Sequence, residues 1–316
     1  NPKSELYEKH PDWVIRQPGR EEHYFRNQLV LDLTNPTVQD FVFGVVDDLL
    51  TKNPALAYIK WDCNAVIYNA HSAFLNNQQH LYIDYVRGLY KVLERIRAKY
   101  PTIPLMLCSG GGGRVDYGAL QYFTEYWPSD NTDPLERIYM QWEYSYFFPA
   151  MTSSNHVTEW GKQPLKYRID VAMMGKMGFD IVIGKLPEKE LALARQSVKV
   201  YDSVKNIIWH GDQYRLSDPW KEPVASVMYV DRQKTKAVLF NYLVNNRYGQ
   251  GSVGPVKLKG LNAGDKYRVR EVNLLPGTRS AIDASKIYTG EFLMKVGFNP
   301  AVRQGRNSVV LVLEKM

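Results

Sequence analysis

The sequence is poor in the patterns that mark whole classes of protein. Two cysteines in 316 residues, Cys63 and Cys108, make no disulfide framework and lack the spacing of a zinc site. The six histidines, at positions 10, 23, 71, 80, 156 and 210, show no metal-ligand spacing either, so no metal or other cofactor is expected. No apolar run approaches the roughly 18 residues of a membrane span, and no membrane partner is expected. Basic residues outnumber acidic ones, 40 against 33, but without a dense run, which suits solubility better than nucleic-acid binding. There is no Gly-x-Ser-x-Gly elbow, internal repeat or low-complexity tract. Hydrophobic residues at 45% and charged residues at 23% exclude disorder as the main character. Aromatic residues are plentiful, with 22 Tyr, 11 Phe and 7 Trp, rings that suit a core and a sugar face alike. The first residue is Asn1 and not Met, and no apolar signal core follows it.

The first thirty residues, broken by Pro2, Pro11, Pro18 and Gly19, read as loop, with 29–33 as a short extended stretch. Asn35 then caps a helix opened by Pro36, whose stripe is Val38, Phe41, Val42, Val45, Val46, Leu49 and Leu50. From there strands and helices alternate. Strands are expected over 58–63, 104–108, 125–130, 155–160 and 179–184. Helices are expected through Leu81 to Ile96, from Pro134, over 164–176, and from Pro187 to about Asp202. This alternation predicts an α/β fold with a parallel sheet, and polar residues gathered after the strands favour a barrel. About five strands are visible where a closed barrel needs eight. After about Asp212 short β-branched runs take over, at 224–230, 236–244, 256–261, 266–272 and 308–313. They predict an antiparallel β-sandwich, giving domains at 1–211 and 212–316.

Three stretches concentrate chemistry. On the strand Tyr58–Cys63, alternation puts Lys60, Asp62 and, just beyond it, Asn64 on one face. An Asp beside an ammonium at a strand end suits a nucleophile or an electrostatic stabiliser, and equally a salt bridge or cap. The run Cys108-Ser109-Gly110-Gly111-Gly112-Gly113-Arg114 removes side chains over one turn, so a ligand can approach the backbone, or the chain simply turns. It lacks a P-loop ending and a dinucleotide spacing. Cys108 at the strand end either lines a pocket or is an ordinary buried thiol. In Trp127-Pro128-Ser129-Asp130-Asn131-Thr132-Asp133-Pro134, Asp133 has the position of a helix cap. Asp130 next to Trp127 suits a general acid, or a turn residue bonding its own backbone.

Taken together, Arg26–Leu33, Ile59–Asn64, Cys108–Arg114 and Ser129–Asp133 resemble glycoside hydrolase family 36, the α-galactosidase family, in order and approximate spacing. The segment 211–216 resembles that family's exit into its C-terminal β domain. The resemblance implies a (β/α)8 TIM barrel, entered here at about its third or fourth strand, and a retaining mechanism. By it, Asp62 matches the nucleophile and Asp130 the acid/base, with the carboxyl groups expected in one cavity about 5 to 7 Å apart. Lys60, Asn64, Arg26, Cys108, Gly110, Gly111 and Trp127 match positions lining the sugar pocket. The implied partner is an oligosaccharide ending in α-linked galactose, of melibiose or raffinose type.

Two departures qualify the resemblance. After the nucleophile the family usually has Met-Asn-Arg, where this chain has Cys63-Asn64-Ala65, which removes a basic group near the subsites. The family is also about twice as long, with an N-terminal β-sandwich and first barrel strands ahead of this segment. A missing N-terminal half is therefore expected, and the chain alone is expected to be nearly inactive and to self-associate as a homo-oligomer. Three readings stay open: an α-galactosidase, an α-N-acetylgalactosaminidase or galactosyl-transferring enzyme on the same scaffold, and a non-catalytic sugar-binding fragment. The compartment is open between cytoplasm and periplasm or secretion.

Overall fold

In the computed structural model, which describes residues 1–245 and 254–316, side-chain caps begin two of the helices that the sequence marked, at Asn35 and Asp133. The described residues divide into two units, Asn1–Trp127 and Pro128–Met316.

The first unit does not begin as loop. Ser4 accepts a hydrogen bond from Tyr7 N and starts a short helix, α1 (Glu5–Lys9), whose capping signal the nearby prolines obscured. A 3-10 turn follows, and Trp13, Val14 and Ile15 are buried, with Val14 bridging Leu31. Asn35 Oδ1 accepts from Thr37 N and opens α2 (Pro36–Lys52). Its buried face is narrower than the apolar stripe: Val38, Val46 and Leu50 are buried, whereas Val45 and Leu49 are exposed. Strand β1 (Ile59–Asp62) leads to α3 (Leu81–Lys99), β2 (Leu105–Cys108) and β3 (Glu125–Tyr126). The three strands form a parallel sheet in the order β1-β2-β3, as short strands separated by a helical crossover require. Helix α3 reaches the turn before α2 at Gly88, where a Cβ would lie 1.8 Å from the Leu33 carbonyl oxygen. Leu33, Val38, Leu81 and Tyr85 pack with Trp13 and Ile15 in one core.

The second unit runs through α4 (Pro134–Tyr144), β4 (Ser154–Val157), α5 (Leu165–Ala172), β5 (Lys176–Phe179) and α6 (Glu188–His210). Strands β4 and β5 pair in parallel. The fifth parallel strand lies three residues earlier than 179–184, because Lys176–Phe179 makes the pairing. There Gly178 leaves room for His156, whose ring a Cβ would meet at 2.7 Å. The apolar residues Val182 and Ile183 instead sit in an exposed turn. Helix α6 runs past Asp202 to His210 because Val204, Ile207 and Ile208 continue its buried face at helical spacing.

Beyond it, β6 (Asp212–Ser217), β7 (Val224–Val230), β8 (Lys236–Leu243), β9 (Lys266–Val272), β10 (Ile287–Thr289) and β11 (Ser308–Lys315) form one antiparallel sheet. Its order is β10-β9-β11-β8-β7-β6. Among the described residues this is one six-stranded sheet, not the two packed sheets of the expected sandwich. Alternation explains the difference. Ala225, Val227, Tyr229, Phe240, Tyr242 and Val310 face the core built by α4 to α6. Val224, Met228, Val230, Leu239, Leu311 and Leu313 face a second core, closed by Val256, Leu258, Leu261, Leu293 and Phe298. That covering layer is irregular: 256–261 contributes one bridge, Val256 to Phe298, and a six-residue helix, α7 (Gly290–Lys295), replaces what was expected to be all β. A strand buried on both faces reads as a continuous apolar run whichever layer covers it.

Candidate active site

The sequence-marked residues gather at the C-terminal ends of β1 and β2. Parallel pairing sets Lys60 beside Met106 and Asp62 beside Cys108. Lys60 and Asp62 are exposed, while Ile59 and Trp61 on the other face are half-buried, as the alternation predicted. Met106, Cys108 and Trp127 form a small buried cluster beneath them. The Lys60 ammonium lies 5.5 Å from the Trp127 ring centroid, within cation–π reach. Burial pushes the Cys108 thiol up, and the negative charge of the neighbouring Asp62 carboxylate pushes the same way. The Gly111 N–H and the Lys60 ammonium oppose them. Cys108 is therefore a neutral thiol on the strand position beside Asp62, not a reactive thiolate.

The exits of the two strands are tied to each other. Cys63 N donates to the Cys108 carbonyl at 2.9 Å, and Ser109 Oγ to the Cys63 carbonyl at 2.8 Å. Gly110 N donates to Asn64 Oδ1 at 2.5 Å, and Arg114 Nη2 to the Ala65 carbonyl at 2.7 Å. The Arg114 guanidinium also sits 5.9 Å from the Tyr85 ring centroid. Burial raises the Cys63 thiol, against the pull of that guanidinium. Within the turn, Gly110 and Gly111 have φ of +56° and +87°, a region that favours glycine. Arg114 and Ser109 were not singled out from the sequence, although both lie in the glycine-rich stretch. Their use depends on which carbonyls stand opposite, and residue spacing does not reveal that.

Arg26 stands apart from this group. It and Asn27 occupy the centre of a tight turn, both with positive φ, closed by Phe25 and Gln28 bonding each other at 3.2 and 3.0 Å. Its guanidinium lies 5.5 Å from the Phe25 ring centroid, and among the described residues no hydrogen bond or ion pair joins it to Lys60 or Asp62.

Asp130 belongs to the second unit, on a turn wired by its neighbours. Arg137 donates to the Ser129 and Asn131 carbonyls at 2.6 and 2.8 Å, and Asp133 N donates to Asn131 Oδ1 at 3.0 Å. Asp133 Oδ1 accepts from Leu135 N at 2.8 Å and from Glu136 N at 3.4 Å, so this acid caps α4 as the sequence indicated. Among the described residues no cluster of His, Cys, Asp and Glu is arranged to hold a metal ion.

Comparison with known proteins gives a consistent set of likenesses. The melibiase family model matches residues 1–211, and that of the glycosyl hydrolase family 36 C-terminal domain matches residues 224–313. Alpha-galactosidase AgaA of Geobacillus stearothermophilus is 34% identical over 285 residues, covering 88% of this chain and 39% of that protein. Alpha-galactosidase 2 of Hypocrea jecorina is 32% identical over 323 residues, covering 100% of this chain and 40% of that protein. Among solved structures, the family 36 alpha-galactosidase AgaB from Geobacillus stearothermophilus superposes with a TM-score of 0.91 at 32% identity, over 100% of this chain and 43% of that one. An AgaA variant in complex with raffinose gives the same TM-score at 31% identity, over 100% and 43% of the two chains. The chain thus spans about two-fifths of the length of the curated relatives it matches, 39% and 40% for the two named.

Proposed function

The chain belongs to the melibiase family of glycoside hydrolases, and on that premise we propose that it carries the nucleophile, the acid/base and much of the sugar pocket of a retaining α-galactosidase. Residues 1–211 are the later part of a (β/α)8 barrel and 212–316 a C-terminal β domain. The extents of the two family models, 1–211 and 224–313, support that division. The substrate class is an oligosaccharide with terminal α-linked galactose, since related enzymes have been solved with raffinose and stachyose bound.

In this reading an Asp62 oxygen attacks the anomeric carbon as the bond to the leaving oxygen breaks, and Asp130 gives its proton to that oxygen. Water then attacks the same carbon, Asp130 takes its proton, and the Asp62 oxygen departs with its electron pair. Two inversions leave the sugar with its original configuration. Two carboxyl groups and water balance both steps. Lys60, Asn64, Arg26, Cys108, Gly110, Gly111 and Trp127 shape the pocket. The observation that carries the proposal is the β1–β2 register, which sets Asp62 at a parallel strand's C-terminal end beside Cys108, with Lys60 and Trp127 in contact.

The test is steady-state hydrolysis by the protein in its full natural length, on melibiose, a nitrophenyl α-galactoside and its N-acetyl analogue. Asp62→Asn is expected to abolish turnover of all of them. Asp130→Asn is expected to cost about 10²- to 10⁴-fold on melibiose. On the nitrophenyl substrate, whose leaving group needs no proton, it costs much less in the glycosylation step. Preference for the N-acetyl analogue, or net transfer to an added sugar, would redirect the assignment on the same scaffold. Turnover that survives both substitutions would end it.

A further inference from the structure

Four consecutive glycines make a chain segment with little conformational preference of its own, and ordering it costs more entropy than ordering any other four residues. The turn 110–113 is nevertheless held with two left-handed residues in succession, Gly110 and Gly111. Part of the holding is internal: Ser109 N donates to the Gly111 carbonyl at 2.8 Å and Gly113 N to the Ser109 carbonyl at 3.3 Å. These bonds close the loop upon itself but do not orient it on the sheet. Two side chains do. Asn64, two residues past the end of β1, accepts from Gly110 N at 2.5 Å. Ser109, the residue after β2, donates its hydroxyl to the Cys63 carbonyl at 2.8 Å, and Cys63 N donates in turn to the Cys108 carbonyl at 2.9 Å. A path of contacts therefore joins Asn64 to the glycine turn, and the turn through Ser109 to Cys63, the residue that follows Asp62.

Resting on the functional reading above, we infer that Asn64 is a positioning residue, acting on the nucleophile through the glycine turn and the bond from Ser109 to Cys63. An N–H donor can face only the amide oxygen, so the bond to Gly110 also fixes the orientation of the Asn64 amide. Its NH2 group is left as a donor without a protein partner among the described residues. Asn64 thus has two separable duties. The oxygen orients the turn, and the nitrogen is available to a sugar oxygen. An aspartate in its place retains the first and loses the second.

The closing experiment uses amide hydrogen exchange across 109–113 together with kinetics on a nitrophenyl α-galactoside, for the full-length wild type, Asn64→Ala, Asn64→Ser and Asn64→Asp. Alanine removes the acceptor and serine is too short to reach, so in both the Gly110 amide should exchange about tenfold faster than in the wild type. Asn64→Asp should keep the wild-type protection. In Asn64→Ala, kcat should fall about tenfold or more, with kcat/KM falling in parallel, because the displaced nucleophile is felt in the transition state. Unchanged Gly110 exchange in both Asn64→Ala and Asn64→Ser overturns the inference, as does equal loss of protection in Asn64→Asp. A rise in KM with kcat intact also overturns it, since that marks a sugar contact alone. The exchange arm needs no substrate, so it still decides the anchoring of the turn if the wild type cleaves no α-galactoside.

Discussion

Asn273 is the sharpest test of what holds the second unit together. It is 2% exposed and has φ of +54°. Its Nδ2 donates to Asp170 Oδ1 at 2.6 Å, and its Oδ1 accepts from Ser197 Oγ at 2.7 Å. Asp170 is fully buried, and also holds Lys166 in an ion pair and accepts from Ser308 Oγ at 2.6 Å. The network thus links α5, α6 and the sheet. Asn273→Ala removes a hydrogen bond to a charged group, worth about 1.5–3 kcal/mol, and a neutral one worth about 1 kcal/mol. It also places a Cβ-bearing residue without a compensating local bond in the left-handed region, at about 1 kcal/mol or more. The expected loss is about 4 kcal/mol. Asn273→Gly relieves only the last contribution and should recover about 1 kcal/mol of it. Asn273→Asp sets a second carboxylate against Asp170 and should be at least as damaging as alanine. Urea unfolding followed by circular dichroism measures all three. An alanine variant within about 1 kcal/mol of wild type, or a glycine variant no better than alanine, would refute this account of the network.

Three further outcomes follow from the same structure. Asp133→Asn should keep both the α4 cap and turnover, since Asn caps nearly as well, whereas Asp133→Ala should lose about 1 kcal/mol of stability; turnover falling as far in Asp133→Asn as in Asp130→Asn would show that the roles of the two acids are exchanged. Gly113→Ala would bring a Cβ to 2.7 Å from the Ser109 carbonyl oxygen, so it should open the turn at a cost of about 1–3 kcal/mol, seen as a lower melting temperature; an unchanged melt contradicts that contact. Burial raises the phenols of Tyr167, Tyr229 and Tyr242 above their ordinary value of 10.0. The proton is then held more tightly in the folded state, so the stability these groups contribute is complete below about pH 10 and is lost as pH rises through their folded values. The urea midpoint should hold up to about pH 10 and fall as pH rises beyond it, and a flat profile above about pH 10 would contradict it.

How much of this was legible depended on how local the cause was. Caps are local, and Asn35 with Pro36 and Asp133 with Pro134 announced their helices correctly. Strands 224–230 and 266–272 were placed to the residue because turn residues bound them on both sides. Where the cause was tertiary, reading failed. Nothing local says that Lys176 and not Phe179 begins the fifth parallel strand, since the choice belongs to β4 and to the space His156 takes. Nor does an apolar strand say what covers it, so one sheet between a helical and an irregular layer read as two sheets. In the site, Lys60, Asp62, Cys108 and Trp127 were legible by alternation and motif. The Asn64–Gly110 and Arg114–Ala65 bonds were not, because each joins residues more than forty positions apart across two strand ends.

The central claim is that Asp62 becomes covalently attached to galactose during turnover. An activated fluorinated α-galactosyl fluoride slows breakdown of such an intermediate more than its formation, so the enzyme accumulates in the glycosylated state. Proteolysis and peptide mass spectrometry of the full-length protein then locate the sugar. The account predicts one galactosyl adduct per chain, on the peptide containing Asp62, absent from Asp62→Asn and formed with burst kinetics in the wild type. A label on another carboxylate, or product of inverted configuration released without any adduct, would contradict it.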